Sequence, residues 1–292
     1  MKGGDAMRIG FIGAGKTGFS LGKYFAECGG NVTGYYSLHE SSARAAAEFT
    51  GTRYFAAPEE LLKESDALFL TVPDGAIRSV YGELTRFDIT GMQLCHCSGA
   101  MTAAEAFPDV RRRGAFGYSI HPLFPLSSKL ESFGELAGAF FCVEGNGEYL
   151  DNWREFLESM ELRVQVIDGA KKARYHAACA VSSNLVCALV EESVELLLDC
   201  GFTRETAMDA LAPLIRQNTA NILRRGPITV LTGAVERGDV GTVQKHLDCF
   251  PSAKERELYR AVSEKLVEVA KAKNPHIDYT ELEKLLTGGR SQ

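Results

Sequence analysis

The sequence lacks the features that mark several large classes of protein. Its 32 basic residues are outnumbered by 38 acidic ones, which gives a formal net charge of −6. A chain without an excess of basic charge is not expected to bind nucleic acid as its main partner. The first seven residues contain no apolar run of the kind found in a secretory signal peptide. The longest nearly apolar segment, 177–190, is interrupted by Ser182, Ser183 and Asn184 and is too short to span a bilayer.

The cysteines also lack any metal-binding or disulfide pattern. None of the eight stands in a CxxC or zinc-type spacing. In Cys95-His96-Cys97, strand alternation would point His96 away from both thiols, so we predict no metal site. Scattered free thiols are typical of a reducing compartment, and we expect a cytoplasmic protein that binds neither membrane nor nucleic acid. The cysteines are residues 28, 95, 97, 142, 179, 187, 200 and 249.

What the chain does have is a glycine-rich turn at its start. A short apolar strand from Arg8 runs into Gly13-Ala14-Gly15-Lys16-Thr17-Gly18, and a helix is predicted to follow. In such a turn the first glycine allows a tight bend, the second lets the backbone approach a pyrophosphate, and the third lets helix and strand pack closely. The helix N-terminus then offers N–H groups to the phosphates. We therefore predict a dinucleotide site formed by residues 13–18.

The order of predicted elements indicates an α/β fold with a second, helical domain. Strands alternate with helices up to about residue 168, which predicts a doubly wound Rossmann domain over residues 1–168. From residue 170 onward only helical segments are predicted, at about 171–199, 204–224, 240–249, 253–273 and 279–287. We therefore expect an all-α domain over residues 169–292 that serves substrate binding and dimerisation.

The end of the second strand predicts which dinucleotide binds. NAD-binding chains place an acidic residue there to bond the ribose hydroxyls, about 20 residues beyond the glycine turn. Here the strand ends in Tyr36-Ser37-Leu38-His39. Hydroxyl groups can donate hydrogen bonds to a 2′-phosphate, whereas an acidic residue would repel it. NADP is therefore favoured, and NAD remains possible. Alternatively, the serines of this stretch only cap the next helix.

These features together resemble the 6-phosphogluconate-dehydrogenase-like superfamily, in which a Rossmann domain precedes an all-helical domain. Val72-Pro73-Asp74 after the fourth strand is similar to the turn with which that superfamily contacts the dinucleotide. The chain also resembles a group of Rossmann-like oxidoreductases of unestablished substrate, whose N-terminal domain is of the deazaflavin-coenzyme-dependent NADP oxidoreductase type. The motifs that carry this second resemblance are His96-Cys97-Ser98-Gly99, His121-Pro122-Leu123, Tyr175-His176-Ala177-Ala178 with Ser183-Asn184, and Arg237-Gly238-Asp239 with Thr242 and His246.

Histidine is the side chain best suited to move a proton during hydride transfer at neutral pH. His121 follows the sixth strand, and Ser98 follows the fifth. The pair is similar to the serine and histidine that prephenate dehydrogenases place against their substrate. The alternative is that His121 only bonds backbone within its turn.

Polar residues also recur along the first helix of the second domain. Lys172 and His176 are one helical turn apart, with Ser183 on the same stripe and Asn184 beside it. Related dehydrogenases have a lysine and, one turn later, an asparagine at the positions of Lys172 and His176. Because His176 stands in place of the asparagine, that substrate-contacting role carries over only in part. Lys171 and Tyr175 form a competing pair, and a structural role in the helical core remains an alternative. Arg237 is a candidate for holding a substrate carboxylate.

The sequence thus predicts an NADP-dependent oxidoreductase that acts on a small polar substrate and forms a homodimer through its helical domain. His121, His176 and Lys172 are the candidate catalytic residues, and we expect them to converge on one crevice. Ser98, Ser183, Asn184 and Arg237 are the candidate substrate ligands. Two alternatives remain: a dinucleotide-binding redox sensor without turnover, and an enzyme that couples NADP to a deazaflavin coenzyme.

Overall fold

The computed structural model describes residues 7–288, so the N-terminal residues 1–6 lie outside the described part. Eight strands form one sheet, and they are β1 (Arg8–Ile12), β2 (Asn31–Tyr36), β3 (Arg53–Tyr54), β4 (Ala67–Leu70), β5 (Gln93–His96), β6 (Phe116–Pro122), β7 (Phe140–Gly145) and β8 (Arg163–Val166). The helices that alternate with them are α1 (Lys16–Glu27), α2 (Glu40–Thr50), α3 (Pro58–Glu64), α4 (Asp74–Leu84), α5 (Ala103–Ala106) and α6 (Leu150–Glu158).

The sheet has the strand order β3-β2-β1-β4-β5-β6-β7-β8. Its first six strands are parallel, whereas β7 runs antiparallel to β6 and pairs in parallel with β8. The chain leaves β1 towards β2 on one side and returns to β4 on the other. A crevice therefore opens at the carboxyl ends of β1 and β4, where sheets of this type bind ligands.

Strand β4 shows why the sheet is covered on both faces. All four of its residues are buried. Phe69 packs in a core with Phe11 and Trp153, while Leu68 and Leu70 pack in a second core on the opposite face. Alternating side chains point to opposite faces of a strand, so an uninterrupted apolar run requires a core on each side. The predicted doubly wound fold is confirmed.

The helices after the sheet are α7 (Lys172–Ser182), α8 (Asn184–Asp199), α9 (Arg204–Arg225), α10 (Pro227–Val230), α11 (Val240–Cys249), α12 (Ala253–Lys273) and α13 (Thr280–Thr287). The single helix predicted over 171–199 is broken at Ser183, where φ is −129° and ψ is −78°. Ser182 and Ser183 donate from their side chains to the carbonyls of Ala178 and Cys179, at 3.0 and 2.8 Å. Bonds of this kind often bend helices, and these two lie at the break.

The compact units of the chain divide at the same place. The first unit ends at Ser183 and the second begins at Asn184, whereas the sequence places the domain boundary after Asp168. The difference arises because α7 is bonded to the sheet: Lys172 contacts Ser119 of β6, and Tyr175 contacts His121. The second unit is helical in its described residues and has its own core, which includes Val243, Leu247, Val267, Tyr279 and Leu282.

Candidate active site

The turn between β1 and α1 has the geometry predicted for the first and third glycines. Gly13 has a φ of +103°, a backbone conformation that residues with a side chain rarely adopt. Its N–H donates to the carbonyl of Tyr36 at 2.8 Å. A Cβ at Gly18 would lie 2.6 Å from both the carbonyl oxygen of Gly13 and Oγ1 of Thr71. No side chain fits there, so α1 packs closely against the turn only because residue 18 is glycine.

Gly15 differs from these two glycines. A Cβ built on it meets only the carbonyl oxygen of Thr71, at 3.8 Å. Gly15 is the N-cap of α1, no side chain caps the helix, and no acidic residue stands in its first turn. The N–H groups and the positive end of the helix dipole are thus available to an anion. Lys16, which is exposed, and Thr17 begin the helix beside this space.

A cavity of about 530 Å³ continues from this turn along the carboxyl ends of β1, β2 and β4. It extends over a length of turn and helix surface suited to a dinucleotide, with apolar walls and hydroxyl groups at one end. The lining includes five of the predicted cofactor ligands besides Gly13, namely Ala14, Gly15, Ser37, Val72 and Pro73, together with Tyr36, Leu38, His39, Ser42, Ala76, Ser79, Val80 and Glu83.

Among the described residues, those that line the end of the cavity beyond β2 are Ser37, His39 and Ser42, and none of them is acidic. The side chain of Glu40 is paired with Arg44 at 2.6 Å, and Glu83 lines the cavity from α4. The N-cap of α2 is His39, and no side-chain hydrogen bond caps this helix. The serines are therefore not helix caps, and their hydroxyls are available to a 2′-phosphate at the positive end of α2.

A second group of polar side chains lies beyond the ends of β5 and β6. The rings of His121 and His176 are 6.3 Å apart, between their centroids. Both meet at Gly99, where a Cβ would lie 2.9 Å from Nε2 of His121 and 2.5 Å from Cδ2 of His176. The predicted convergence of the two histidines is therefore present, and it depends on residue 99 having no side chain. His121 is part of β6 itself, one residue before its end, rather than in a turn after it.

Ser98 lies beside this pair but is already fully engaged. Its hydroxyl donates to Oδ2 of Asp74 at 2.6 Å and accepts from the N–H of Met101 at 3.1 Å. The residue is only 4% exposed. Asp74, which begins α4 and is exposed, is thus the acidic group that Ser98 orients. Direct contact between Ser98 and substrate stays a prediction.

Lys172 is enclosed rather than open to the crevice. It is 1% exposed, and its ammonium group donates to Oγ of Ser119, which in turn donates to the carbonyl of Ser98 at 3.3 Å. Burial lowers the pKa of Lys172, and the neighbouring carboxyl of Glu144 is among the groups that oppose this. From this enclosed position the ammonium contributes positive charge beneath the site. The catalytic role predicted for Lys172 stays a prediction.

The two histidines of β5 and β6 are held uncharged. Burial, followed by the charges of Lys172 and His176, lowers the pKa of His121 to about 4. Repulsion between like charges contributes to this lowering, but burial is the larger cause. Burial and the charge of Lys172 also lower the pKa of His96 to about 4. His96 is fully buried, and its Nδ1 accepts a hydrogen bond from the N–H of Ser98. Within residues 7–288 no cluster of three or more histidine, cysteine or acidic side chains could hold a metal ion.

Two residues of the site were missed by sequence reasoning. Asp74 was read only as part of the turn after β4, and its partner Ser98 is 24 positions away. Tyr175 was named in a family motif and in a competing helical pair but was given no role, and its hydroxyl lies 2.7 Å from Nδ1 of His121. Spacing also offered a signal, because Tyr175 stands three residues after Lys172 and so shares its helix face.

The other predicted substrate ligands have known places but no tested role. Ser183 ends α7, and its hydroxyl donates to a carbonyl of that helix. Asn184 begins α8 and Arg237 precedes α11, both in the second unit. Asp239 caps α11 by accepting from the N–H of Thr242 at 3.0 Å, as its alternative structural role requires. Substrate contact by Ser183, Asn184 and Arg237 stays a prediction.

Comparison with known families and structures supports the fold and the class of cofactor. Residues 8–90 match the family described as "NADP oxidoreductase coenzyme F420-dependent", and residues 139–266 match a "Domain of unknown function (DUF2520)". The resemblance expected from the sequence is thus confirmed. No curated protein matches the chain.

Solved structures of the same fold cover nearly the whole chain. Protein TM1727 from Thermotoga maritima is 26% identical, with a TM-score of 0.72 over 91% of this chain and 99% of its own. A reductive aminase from Aspergillus terreus in complex with NADPH and ethyl levulinate is 15% identical, with a TM-score of 0.64 over 96% and 99%. A pyrroline-5-carboxylate reductase from Coxiella burnetii is 15% identical, with a TM-score of 0.59 over 92% and 99%. At these identities the last two show the shared fold.

The hydroxyl-lined end of the cavity predicts how cofactor preference responds to charge. Replacing Ser37 with Asp adds an acceptor for ribose hydroxyls and repels a 2′-phosphate, so NADPH should bind at least tenfold more weakly, about 1.4 kcal/mol or more, while NADH binding is kept or improved. Calorimetric titration of both cofactors measures this. Ser79→Asp, on the other wall of the cavity, is the matched control. Unchanged preference in Ser37→Asp would place the 2′-phosphate elsewhere.

Proposed function

We propose that this chain, an NADP-dependent oxidoreductase, reduces or forms a carbon–oxygen or carbon–nitrogen double bond in a small polar molecule, with the reacting atoms held beside Gly99, His121 and His176. The observation that carries the proposal is that the two histidine rings meet at Gly99. They lie at the same edge of the sheet as the glycine turn after β1, which suits a pyrophosphate. The cofactor, when bound, supplies or accepts the hydride.

The residues of the site suit this chemistry in three ways. His176 is exposed and is able to exchange a proton with solvent. His121 is half-buried and uncharged at neutral pH, so it interacts with the substrate through hydrogen bonding. Lys172 places a positive charge beneath the site, which favours negative charge developing on a substrate oxygen or nitrogen. A carbonyl or imine group is the substrate class that needs all three.

Two of the solved structures named above support the inclusion of carbon–nitrogen bonds. One is called a reductive aminase and the other a pyrroline-5-carboxylate reductase. Their low identity carries the fold only, so imines and carbonyls stand here as equal members of the proposed class.

A second candidate is hydride exchange between NADP and a deazaflavin coenzyme. The family matched by residues 8–90 is described as dependent on coenzyme F420. That match covers the dinucleotide-binding strands and ends before Gly99, His121 and His176. It therefore does not include the residues where the second hydride donor or acceptor would bind. The same assay distinguishes the two candidates.

The proposal is tested by following NADPH oxidation at 340 nm with four probes: a cyclic imine, a 2-oxo acid, the same acid with ammonium, and an oxidised deazaflavin. We expect turnover with an imine or carbonyl probe. His176→Gln should lower kcat/KM by about 10²-fold or more while NADPH affinity is kept, because general acid–base residues contribute about 10²–10⁴-fold. His276→Gln, an exposed histidine of the second unit, is the control. Turnover with the deazaflavin alone, or His176→Gln at full activity, would contradict the proposal.

We also propose that the protein is a cytoplasmic homodimer whose copies cover the apolar surface of α8. Leu185, Val186 and Leu189 are exposed on this helix. By length and composition alone, the segment Gly169–Asp199 would also be able to cross a membrane. Against a membrane span stand the break at Ser183 and the anchoring of Lys172 and Tyr175 on the sheet. All eight cysteines are free, which suits a reducing compartment.

Sedimentation without detergent tests the dimer. We expect a dimer for the unmodified chain and a monomer for Leu185→Glu, because a buried unpaired charge at an apolar interface costs several kcal/mol. Leu130→Glu, at an exposed leucine of the first unit, should leave the dimer intact. A monomer, or a chain that requires detergent to stay in solution, would contradict the proposal.

A further inference from the structure

The bond between His121 and Tyr175 has a defined direction. Nδ1 of His121 and the hydroxyl of Tyr175 are 2.7 Å apart, with the two rings at 84° to each other. Histidine on β6 and tyrosine on α7 are 54 residues apart in the chain. Because a ring nitrogen can donate or accept, the chemistry of the tyrosine decides which of the two occurs.

The tyrosine must be the donor. Burial raises the pKa of Tyr175 above its ordinary value, so its hydroxyl keeps its proton and needs an acceptor. The thiols of Cys142 and Cys179 also lie near this side chain and are alternative acceptors. Burial also raises the pKa of Cys142, so this group stays a thiol. Thiol sulfur is a weak acceptor, whereas the lone pair of an imidazole nitrogen is a strong one. The hydroxyl of Tyr175 therefore donates to Nδ1.

This assigns the proton on the other ring nitrogen. The charged groups facing His121 are Lys172 and His176, which disfavour a second ring proton, and Asp74, which favours it. With burial added, the pKa of His121 falls to about 4, and the ring is neutral at pH 7. A neutral ring whose Nδ1 accepts a hydrogen bond must carry its proton on Nε2. Nε2 is the ring atom nearest to the Cβ position of Gly99, at 2.9 Å.

We propose that Tyr175 is a positioning residue that locks His121 as the Nε2–H tautomer, so that His121 donates a hydrogen bond to the substrate's oxygen or nitrogen and does not take its proton. His176, the exposed ring on the other side of Gly99, then carries the proton. This division rests on the proposed function, which gave His121 a hydrogen bond to substrate without saying whether its ring donates or accepts that bond. In the neutral ring only one nitrogen, Nδ1, has a lone pair able to take a proton, and the hydroxyl of Tyr175 is already bonded to it.

The arrangement has a chemical advantage for a reductase. An uncharged donor polarises a carbonyl or imine without having to be reprotonated in each turnover. Its orientation is fixed before substrate arrives, because the partner that holds Nδ1 belongs to a helix anchored to the sheet by Lys172. Preorganised donors of this kind cost no reorganisation during the reaction.

The test is a nitrogen NMR experiment on the chain labelled with ¹⁵N-histidine, without substrate or cofactor. Two-bond proton–nitrogen correlations distinguish the tautomers, and the spectrum of His121→Gln identifies the His121 signals among those of six histidines. We expect His121 of the unmodified chain to show the Nε2–H pattern at pH 7. In Tyr175→Phe we expect the Nδ1–H form to appear and the pKa of His121 to change. Tyr81→Phe, which removes a hydroxyl bonded to the carbonyl of Pro108 in the same unit, should leave the His121 signals unchanged.

An Nδ1–H pattern in the unmodified chain overturns the proposal, even if Tyr175→Phe does not fold. The proposal also fails if Tyr175→Phe folds and leaves the tautomer of His121 as it was. Neither result depends on turnover, so a wrong substrate class would fail the 340 nm assay while the NMR result stands.

Discussion

The candidate site depends on one buried ammonium group, that of Lys172. A charge that is 1% exposed is costly unless it is bonded, and this one donates to Ser119 within the sheet. The bond fixes the first turn of α7 against β6 and so sets which face of the helix meets the strand ends. Tyr175 and His176, three and four residues on, are then carried to His121. Anchoring α7 in this way also explains why the first unit continues to Ser183.

The same charge shapes the chemistry of its neighbours. The ammonium of Lys172 contributes to the lowered pKa values of His96 and His121, after burial. Burial and this charge together keep both rings neutral at pH 7, and Nε2 of His121 lies against Gly99. The site thus combines the buried positive charge of Lys172 with the uncharged ring of His121 and the exposed ring of His176. This is a suitable environment for a substrate atom that gains electrons during hydride transfer.

Most of the fold could be predicted from the sequence, because it depends on local patterns. The apolar run 67–70 required a strand buried on both faces, and the spacing of Gly13 and Gly18 required a tight turn with close packing. The site was predicted less completely. The convergence of His121 and His176 followed from a resemblance to known motifs, but the pairing of Asp74 with Ser98 and of Tyr175 with His121 joins residues far apart in the chain. Such pairs depend on the order of strands in the sheet and on which face of a helix meets it, and the spacing of residues along the chain predicts neither.

The central claim is that the nicotinamide end of NADPH lies beside Gly99, within reach of a substrate held by both histidines. A crystal structure of the chain with NADPH bound measures this directly. Since reacting atoms approach to about 3–3.5 Å, one small molecule between C4 of the nicotinamide and Nε2 of His121 should separate them by roughly 6–7 Å. A nicotinamide that turns away from Gly99, with C4 more than about 12 Å from both histidine rings, would contradict the account, because no small substrate spans that distance.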